Sequence, residues 1–343
     1  MTPTRRGFIT GAVAASAGAM LAGCTTAQRA FRPAPPKFMW AYLAQFGLKM
    51  WESRNHYTDL MVDDTMWKSL TDRSAEIGVN VFVIDLGEGM VFPSHPELAV
   101  RGSWESERMK DEIARLKKMG MLVVPKLNFS SSHDQWLGKW RSYLSTPEYF
   151  KVCSEIINDV AEVFDESPLF HIGFDEETFK IQDINKFEYK RIRSGNVWWH
   201  DFLWFVAEVQ RHGMRPWIWS DLCWEHKEEF LARMPRSVLQ SNWYYEKDFD
   251  VATLKENRRH MVETYATLEK ARYDQMPCGS TYSCRENFGK TIAHCRNLIK
   301  DNRLKGFFMA PWYYRTQEDN RDQIMESLDV MAMAIKVFRE SFA

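Results

Sequence analysis

Short apolar runs alternate with longer segments of helical periodicity along most of the chain. Phe38–Leu43, Val79–Asp85, Met121–Leu127, Leu169–Asp175, Arg215–Ser220, Val238–Trp243 and Gly306–Trp312 have the aliphatic and aromatic density of buried strands. Between them, Ser106–Lys118, Pro147–Phe164, Trp198–His212 and Phe288–Lys300 repeat apolar residues at helical spacing. Strand–helix alternation implies a parallel sheet covered by helices. Gln275–Ser280, preceded by a helical segment from about Val251 to Tyr273, supplies an eighth strand and completes a (β/α)8 TIM barrel, an α/β fold. A doubly wound sheet is the alternative. Polar residues of catalytic type end nearly every strand, and the barrel is the fold that gathers those ends around one pocket.

The most informative stretch is Leu169-Phe170-His171-Ile172-Gly173-Phe174-Asp175-Glu176-Glu177, an apolar run that ends in three carboxylates. Strand alternation puts Ile172 and Phe174 on the face that packs outward, with His171, Gly173 and Asp175 on the other. Asp175 and Glu176 therefore serve one pocket only if the strand stops between them. A histidine lying below Asp175 reads as a buried prop for the strand end, because a proton shuttle needs reach to the substrate.

His171-Ile172-Gly173-Phe174-Asp175-Glu176 resembles the His-x-Gly-Gly-Asp-Glu strand end of family 20 glycoside hydrolases, the β-N-acetylhexosaminidases, with Phe174 in place of the second glycine. The resemblance implies a TIM barrel, no metal or organic cofactor, and substrate-assisted retaining hydrolysis of β-linked N-acetylhexosaminides. In it Glu176 is the general acid and Asp175 orients the substrate's own acetamido group. The third strand resembles the family's Pro-Glu-x-Asp…Gly-His segment, with Lys126, Asn128 and Ser132 substituted and His133 kept beside the acid pair. Lys126 either faces the pocket, where it favours an ionised carboxylate, or points outward. Trp217-Ile218-Trp219-Ser220-Asp221 resembles a Trp-x-Asp strand end, which makes Trp219 and Asp221 substrate-binding candidates and leaves Trp217 to pocket wall or core. Trp243 and Trp312, from the late strands, correspond to tryptophans that box the sugar, alongside Gln240, Tyr244, Tyr245, Tyr313 and Tyr314. Tyr282 is the candidate for the tyrosine that bonds the acetamido group. The first strand lacks the family's sugar-gripping arginine, and Arg54 in the following loop is the nearest.

Two other readings use the same rim. Asp85, Glu88, His133 and Asp175 could ligate a metal in a sugar isomerase or epimerase, or Asp85 and Glu88 could contact sugar hydroxyls or act as loop charges and caps. The substituted third strand and the missing arginine favour a surface lipoprotein that binds glycans without cleaving them.

The start of the chain changes the picture of where this chemistry happens. Thr4-Arg5-Arg6-Gly7-Phe8-Ile9 and the apolar run Gly11–Leu21 resemble a twin-arginine export signal, and Leu21-Ala22-Gly23-Cys24 resembles a bacterial lipobox in which Cys24 is lipidated. Residues 1–24 are thus an address and anchor, 25–37 a Pro-rich tether, and 38–343 the barrel, exported and held at a bacterial membrane in the periplasm or at the cell surface.

A formal net charge of -1 gives no sign of a nucleic-acid partner. The 14 tryptophans suit stacking on sugar faces, although indoles also fill cores. The cysteines beyond Cys24 lack metal-ligand spacing, so a zinc site is not expected. Cys278 and Cys284 are near enough in sequence to form a disulfide or to stay as free thiols.

Overall fold

The computed structural model describes residues 32–341 apart from 55 and 314. The export signal, the lipobox cysteine Cys24, most of the tether and Tyr314 lie outside the described residues. Eight parallel strands form the sheet: β1 (Met39–Gln45), β2 (Val81–Asp85), β3 (Leu122–Lys126), β4 (Leu169–His171), β5 (Arg215–Trp219), β6 (Leu239–Ser241), β7 (Cys278–Gly279) and β8 (Gly306–Met309). Their order is β6-β5-β4-β3-β2-β1-β8-β7. The remaining seam is bridged where Met276 donates to the Gln240 carbonyl at 2.8 Å and Cys278 to the Asn242 carbonyl at 2.9 Å. The ring is a (β/α)8 barrel.

The helices are α1 (Asp64–Glu76), α2 (Ser106–Lys118), α3 (Pro147–Val163), α4 (Phe179–Ile184), α5 (Gly195–Arg211), α6 (Leu222–Glu225), α7 (Lys227–Arg233), α8 (Glu256–Lys270), α9 (Asn287–Leu298) and α10 (Arg321–Glu340). Helices α1 and α10 are additional to those the sequence pattern predicts. The strands also stop short of the ends the pattern predicts, most clearly β4, which ends at His171 rather than Asp175.

Strand alternation sorts the core into two layers. Met39, Ala41 and Leu43 of β1 point inward and meet Val83, Leu169, Trp217 and Phe308 inside the barrel. Trp40, Tyr42 and Ala44 point outward into the layer shared with the helices. Ile172 and Phe174 also fall in that outer layer, as their period predicts. Burying an aromatic this way stabilises by about 1.5–3 kcal/mol.

Arg32 fastens the start of the domain. Its guanidinium donates to the carbonyls of Ala161, Phe164, Ser167 and His212, at 3.1, 2.6, 2.9 and 2.9 Å. These carbonyls end α3 and α5 just before β4 and β5, so the chain enters at the end of the barrel opposite the mouth. The free carbonyls of a helix C-terminus favour a cation there.

Candidate active site

Beyond β4 the backbone leaves the strand region. Gly173, Phe174 and Glu176 have φ of +73°, +68° and +55°. Such a run breaks the alternation of a strand, and both Asp175 and Glu176 reach the same pocket at the barrel mouth. Gly173 is required: a Cβ there would stand 2.0 Å from the Asn128 Oδ1. A left-handed conformation costs a residue with a Cβ about 1–2 kcal/mol, and at Phe174 packing offsets it. Its ring meets Trp198, Phe202 and Phe205 of α5 edge-on, at centroid distances of 5.5, 5.2 and 5.4 Å.

Polar contacts hold the turn. The Glu176 N–H donates to Asp221 Oδ2 at 2.8 Å, and the Phe174 N–H to Asn128 Oδ1 at 3.3 Å. Glu177 is gripped from the side by Arg193, whose Nε reaches Oε1 and whose second nitrogen reaches Oε2, both at 2.7 Å. Arg193 also donates to the Phe129 carbonyl at 2.7 Å, which ties the β4 turn to the β3 loop.

Asp175 is buried and accepts from Asn128 Nδ2 at 2.7 Å. His133 Nε2 faces the pair, 3.4 Å from Asp175 Oδ2 and 3.3 Å from Glu176 Oε2. Its other nitrogen, Nδ1, accepts from the indole Nε1 of Trp51 at 2.7 Å. Burial works against charge on His133, but the carboxylates of Asp175 and Glu176 outweigh it and raise its pKa above the ordinary imidazole value.

The remaining polar candidates have structural partners. Lys126 points inward, and its Nζ pairs with Asp85 Oδ2 at 2.6 Å. Glu88 accepts from the backbone N–H groups of Leu48 and Lys49, at 2.8 and 3.0 Å, and so fixes the loop after β1. His171 is fully buried and accepts from the Gly173 N–H at 3.1 Å, the propping role its place in the strand suggests. Asp221 props the Glu176 backbone and borders the neighbouring cavity rather than the pocket itself. Burial, and then the charge of Asp175, pushes the Asp221 pKa far above the ordinary carboxylate value.

The pocket has a volume of about 360 Å³. Trp219, Trp243 and Trp312 wall it, with Trp219 and Trp312 at a centroid distance of 5.9 Å. Trp217 belongs to the barrel interior instead, where its Nε1 donates to Ser241 Oγ at 2.7 Å. Tyr282 lies at the rim and is 66% exposed. Tyr245 is the enclosed tyrosine: it stacks on Trp243 and its hydroxyl accepts from Trp312 Nε1 at 3.0 Å. Arg54 lines the pocket from the loop after β1, its guanidinium 4.2 Å from the Trp51 ring centroid. A cation therefore reaches the site from the loop after β1 rather than from the strand itself. Trp51 was missed altogether, because a lone tryptophan in an irregular segment gives no periodic signal.

Among solved structures the chain is similar to the chitobiase of Flavobacterium johnsoniae, at 14% identity and a TM-score of 0.57, over 88% of this chain and 52% of that one. It is similar also to the exo-β-N-acetylglucosaminidase of Vibrio harveyi in complex with N-acetylglucosamine, at 12% identity and 0.60, over 88% and 54%. Dispersin B matches at 13% identity and 0.55, over 87% of this chain and 99% of its own. The fold is a (β/α)8 barrel like those of these family 20 glycoside hydrolases. This chain spans about half the length of the first two of these family 20 enzymes. No protein-family model and no curated protein matches it.

His133, Asp175 and Glu176 bring one possible ligand atom each within 4.8 Å of one another. Tautomer chemistry argues against a metal there. An indole N–H only donates, so Nδ1 of His133 must be an acceptor and the ring proton of the neutral form sits on Nε2. While that contact is made, Nε2 carries the proton and has no lone pair for a metal. Asp85 and Glu88, the other ligands of the isomerase reading, do not join the cluster, since each is held by the partners given above.

Proposed function

We propose that the chain is a glycoside hydrolase that removes β-linked N-acetylhexosamine with the help of the substrate's own acetamido group. The observation that carries this reading is the placing of Asp175 and Glu176 side by side at the mouth, in a pocket walled by Trp219, Trp243, Trp312 and Tyr245. Glu176 donates a proton to the glycosidic oxygen as its bond to the anomeric carbon breaks. The acetamido carbonyl oxygen, aligned by Asp175, attacks that carbon from the opposite face. The resulting oxazolinium is opened by water, which loses a proton to Glu176, and the configuration is retained. The tryptophans stack on the sugar, the Tyr245 hydroxyl lies within the same wall, and Arg54 supplies a cation for outer hydroxyls.

The same reading places the enzyme outside the cytoplasm. The twin-arginine and lipobox resemblances support export and lipidation at Cys24, and the Arg32 clamp supports a barrel joined to its anchor at the end opposite the mouth. No helix of the described residues is long and apolar enough to cross a membrane.

The test compares 4-nitrophenyl β-N-acetylglucosaminide and β-N-acetylgalactosaminide with the matching β-glucoside, which has a hydroxyl in place of the acetamido group. Turnover confined to the acetamido substrates and unchanged by EDTA supports the reading. Equal turnover of the glucoside, or loss of activity in EDTA, refutes it. A protein that binds the acetamido sugars without turnover is a glycan binder.

A further inference from the structure

The excursion between β4 and α5 inverts the usual polarity of a surface segment. Its inward side chains are polar or charged: Gln182 Oε1 accepts from the Arg191 N–H at 2.8 Å, Arg191 donates to Asp134 Oδ1 at 3.0 Å, and Arg193 holds Glu177. Its outward side chains are large and apolar. Phe179, Ile184 and Tyr189 are 61, 61 and 66% exposed, and Ile192 is exposed too. Buried hydrogen bonds and ion pairs keep this backbone in place, so the apolar residues are displayed on a fixed platform that loses little freedom on docking. Exposed apolar side chains gathered in one segment and rimmed by charge mark an interaction surface.

The charges say what fits it. Lys180, Lys186 and Lys190 are interspersed with Asp183 and Glu188, so the surface is neither basic enough for an anionic membrane nor acidic. Lys190 is engaged within the surface, its Nζ 3.1 Å from Asp183 Oδ1 and 5.0 Å from the centre of the Phe179 ring. Lys186 and Glu188 are exposed, of opposite sign, and have no ion-pair partner among the described residues. In a two-fold interface residue i faces residue j and j faces i, so one such pair serves twice. Arg32 fastens the start of the domain at the other end of the barrel, so the excursion, at the mouth, is remote from the tether's point of attachment.

We infer that a second copy of this chain covers the excursion, in a two-fold dimer built on Phe179, Ile184, Tyr189 and Ile192 and registered by Lys186 against the partner's Glu188. Ile184 and Ile192 also border the cavity beside Glu176, so the second copy closes one side of the mouth. The inference does not depend on the hydrolase reading.

Sedimentation velocity and light scattering on the full chain, from about 1 to 50 μM, read the oligomeric state. Wild type should be a dimer. Ile184→Glu and Tyr189→Glu put charge where the two faces meet and should raise the dissociation constant at least tenfold, with circular dichroism unchanged because both side chains are exposed. Lys186→Glu should weaken the dimer as strongly, by setting like charges against each other, and Lys186→Glu combined with Glu188→Lys should restore it. A monomeric wild type, a dimer indifferent to these substitutions, or a double variant no tighter than Lys186→Glu overturns the inference.

Discussion

The indole Nε1 of Trp51 donates to Nδ1 of His133 at 2.7 Å, and this contact sets which way the histidine presents its proton to the acid pair. With Nδ1 committed as an acceptor, Nε2 keeps a hydrogen and turns it toward Asp175 and Glu176, 3.4 and 3.3 Å away. A histidine so held can donate to a carboxylate but cannot ligate a cation.

Trp51→Phe keeps an aromatic ring and removes the donor. His133 can then move its proton to Nδ1 and offer Nε2 to a metal beside the two carboxylates. The variant should become sensitive to micromolar zinc while wild type stays indifferent, as read by turnover of an aryl N-acetylglucosaminide across a zinc titration. Equal zinc inhibition of both proteins would contradict the tautomer assignment.

The Arg193–Glu177 pair holds the turn after β4 in the interior, with side chains only 1% and 3% exposed. Arg193→Met leaves the Glu177 charge enclosed without its partner, at a cost of about 3–5 kcal/mol. Urea unfolding should show the midpoint falling accordingly, with much of the loss recovered when Glu177→Gln is added. A single variant within about 0.5 kcal/mol of wild type would show that the pair is not what holds the turn.

Asp221 makes stability depend on pH. Burial and the charge of Asp175 raise its folded-state pKa, whereas the unfolded chain ionises near 3.8. Its contribution is therefore full below pH 3.8 and is lost as pH rises toward the folded value. Asp221→Asn keeps an oxygen for the Glu176 N–H but does not titrate. Thermal unfolding from pH 4 to pH 8 should show the wild type losing stability relative to the variant as pH rises. The opposite slope would mean that Asp221 is ionised and paired in the fold.

The barrel was legible because its strands keep period two over their central residues, as in β1, where Met39, Ala41 and Leu43 fill the interior while Trp40 and Tyr42 meet the helices. Sequence could not show where β4 stops. Ile172 and Phe174 continue the strand pattern, but Gly173 and Phe174 turn left-handed, and Asn128, two residues past the end of β3, stands too close to Gly173 for any Cβ. The second glycine of the resembling motif falls at Phe174, whose φ of +68° lies in the left-handed region. Site residues that end strands, Asp175, Glu176, Trp219, Trp243 and Trp312, could be placed from the sequence, along with His133 from the β3 loop. Trp51 and Arg54 could not, because the loop that delivers them is shaped by Glu88 from the next strand end.

The most direct measurement is steady-state turnover of 4-nitrophenyl β-N-acetylglucosaminide by wild type and by Glu176→Gln, which preserves shape and removes the transferable proton. A general acid/base contributes about 10²–10⁴-fold, so kcat/KM should fall by at least a hundredfold with the fold unchanged by circular dichroism. A variant as active as wild type would contradict the assignment of Glu176 and, with it, the hydrolase mechanism built on the β4 turn.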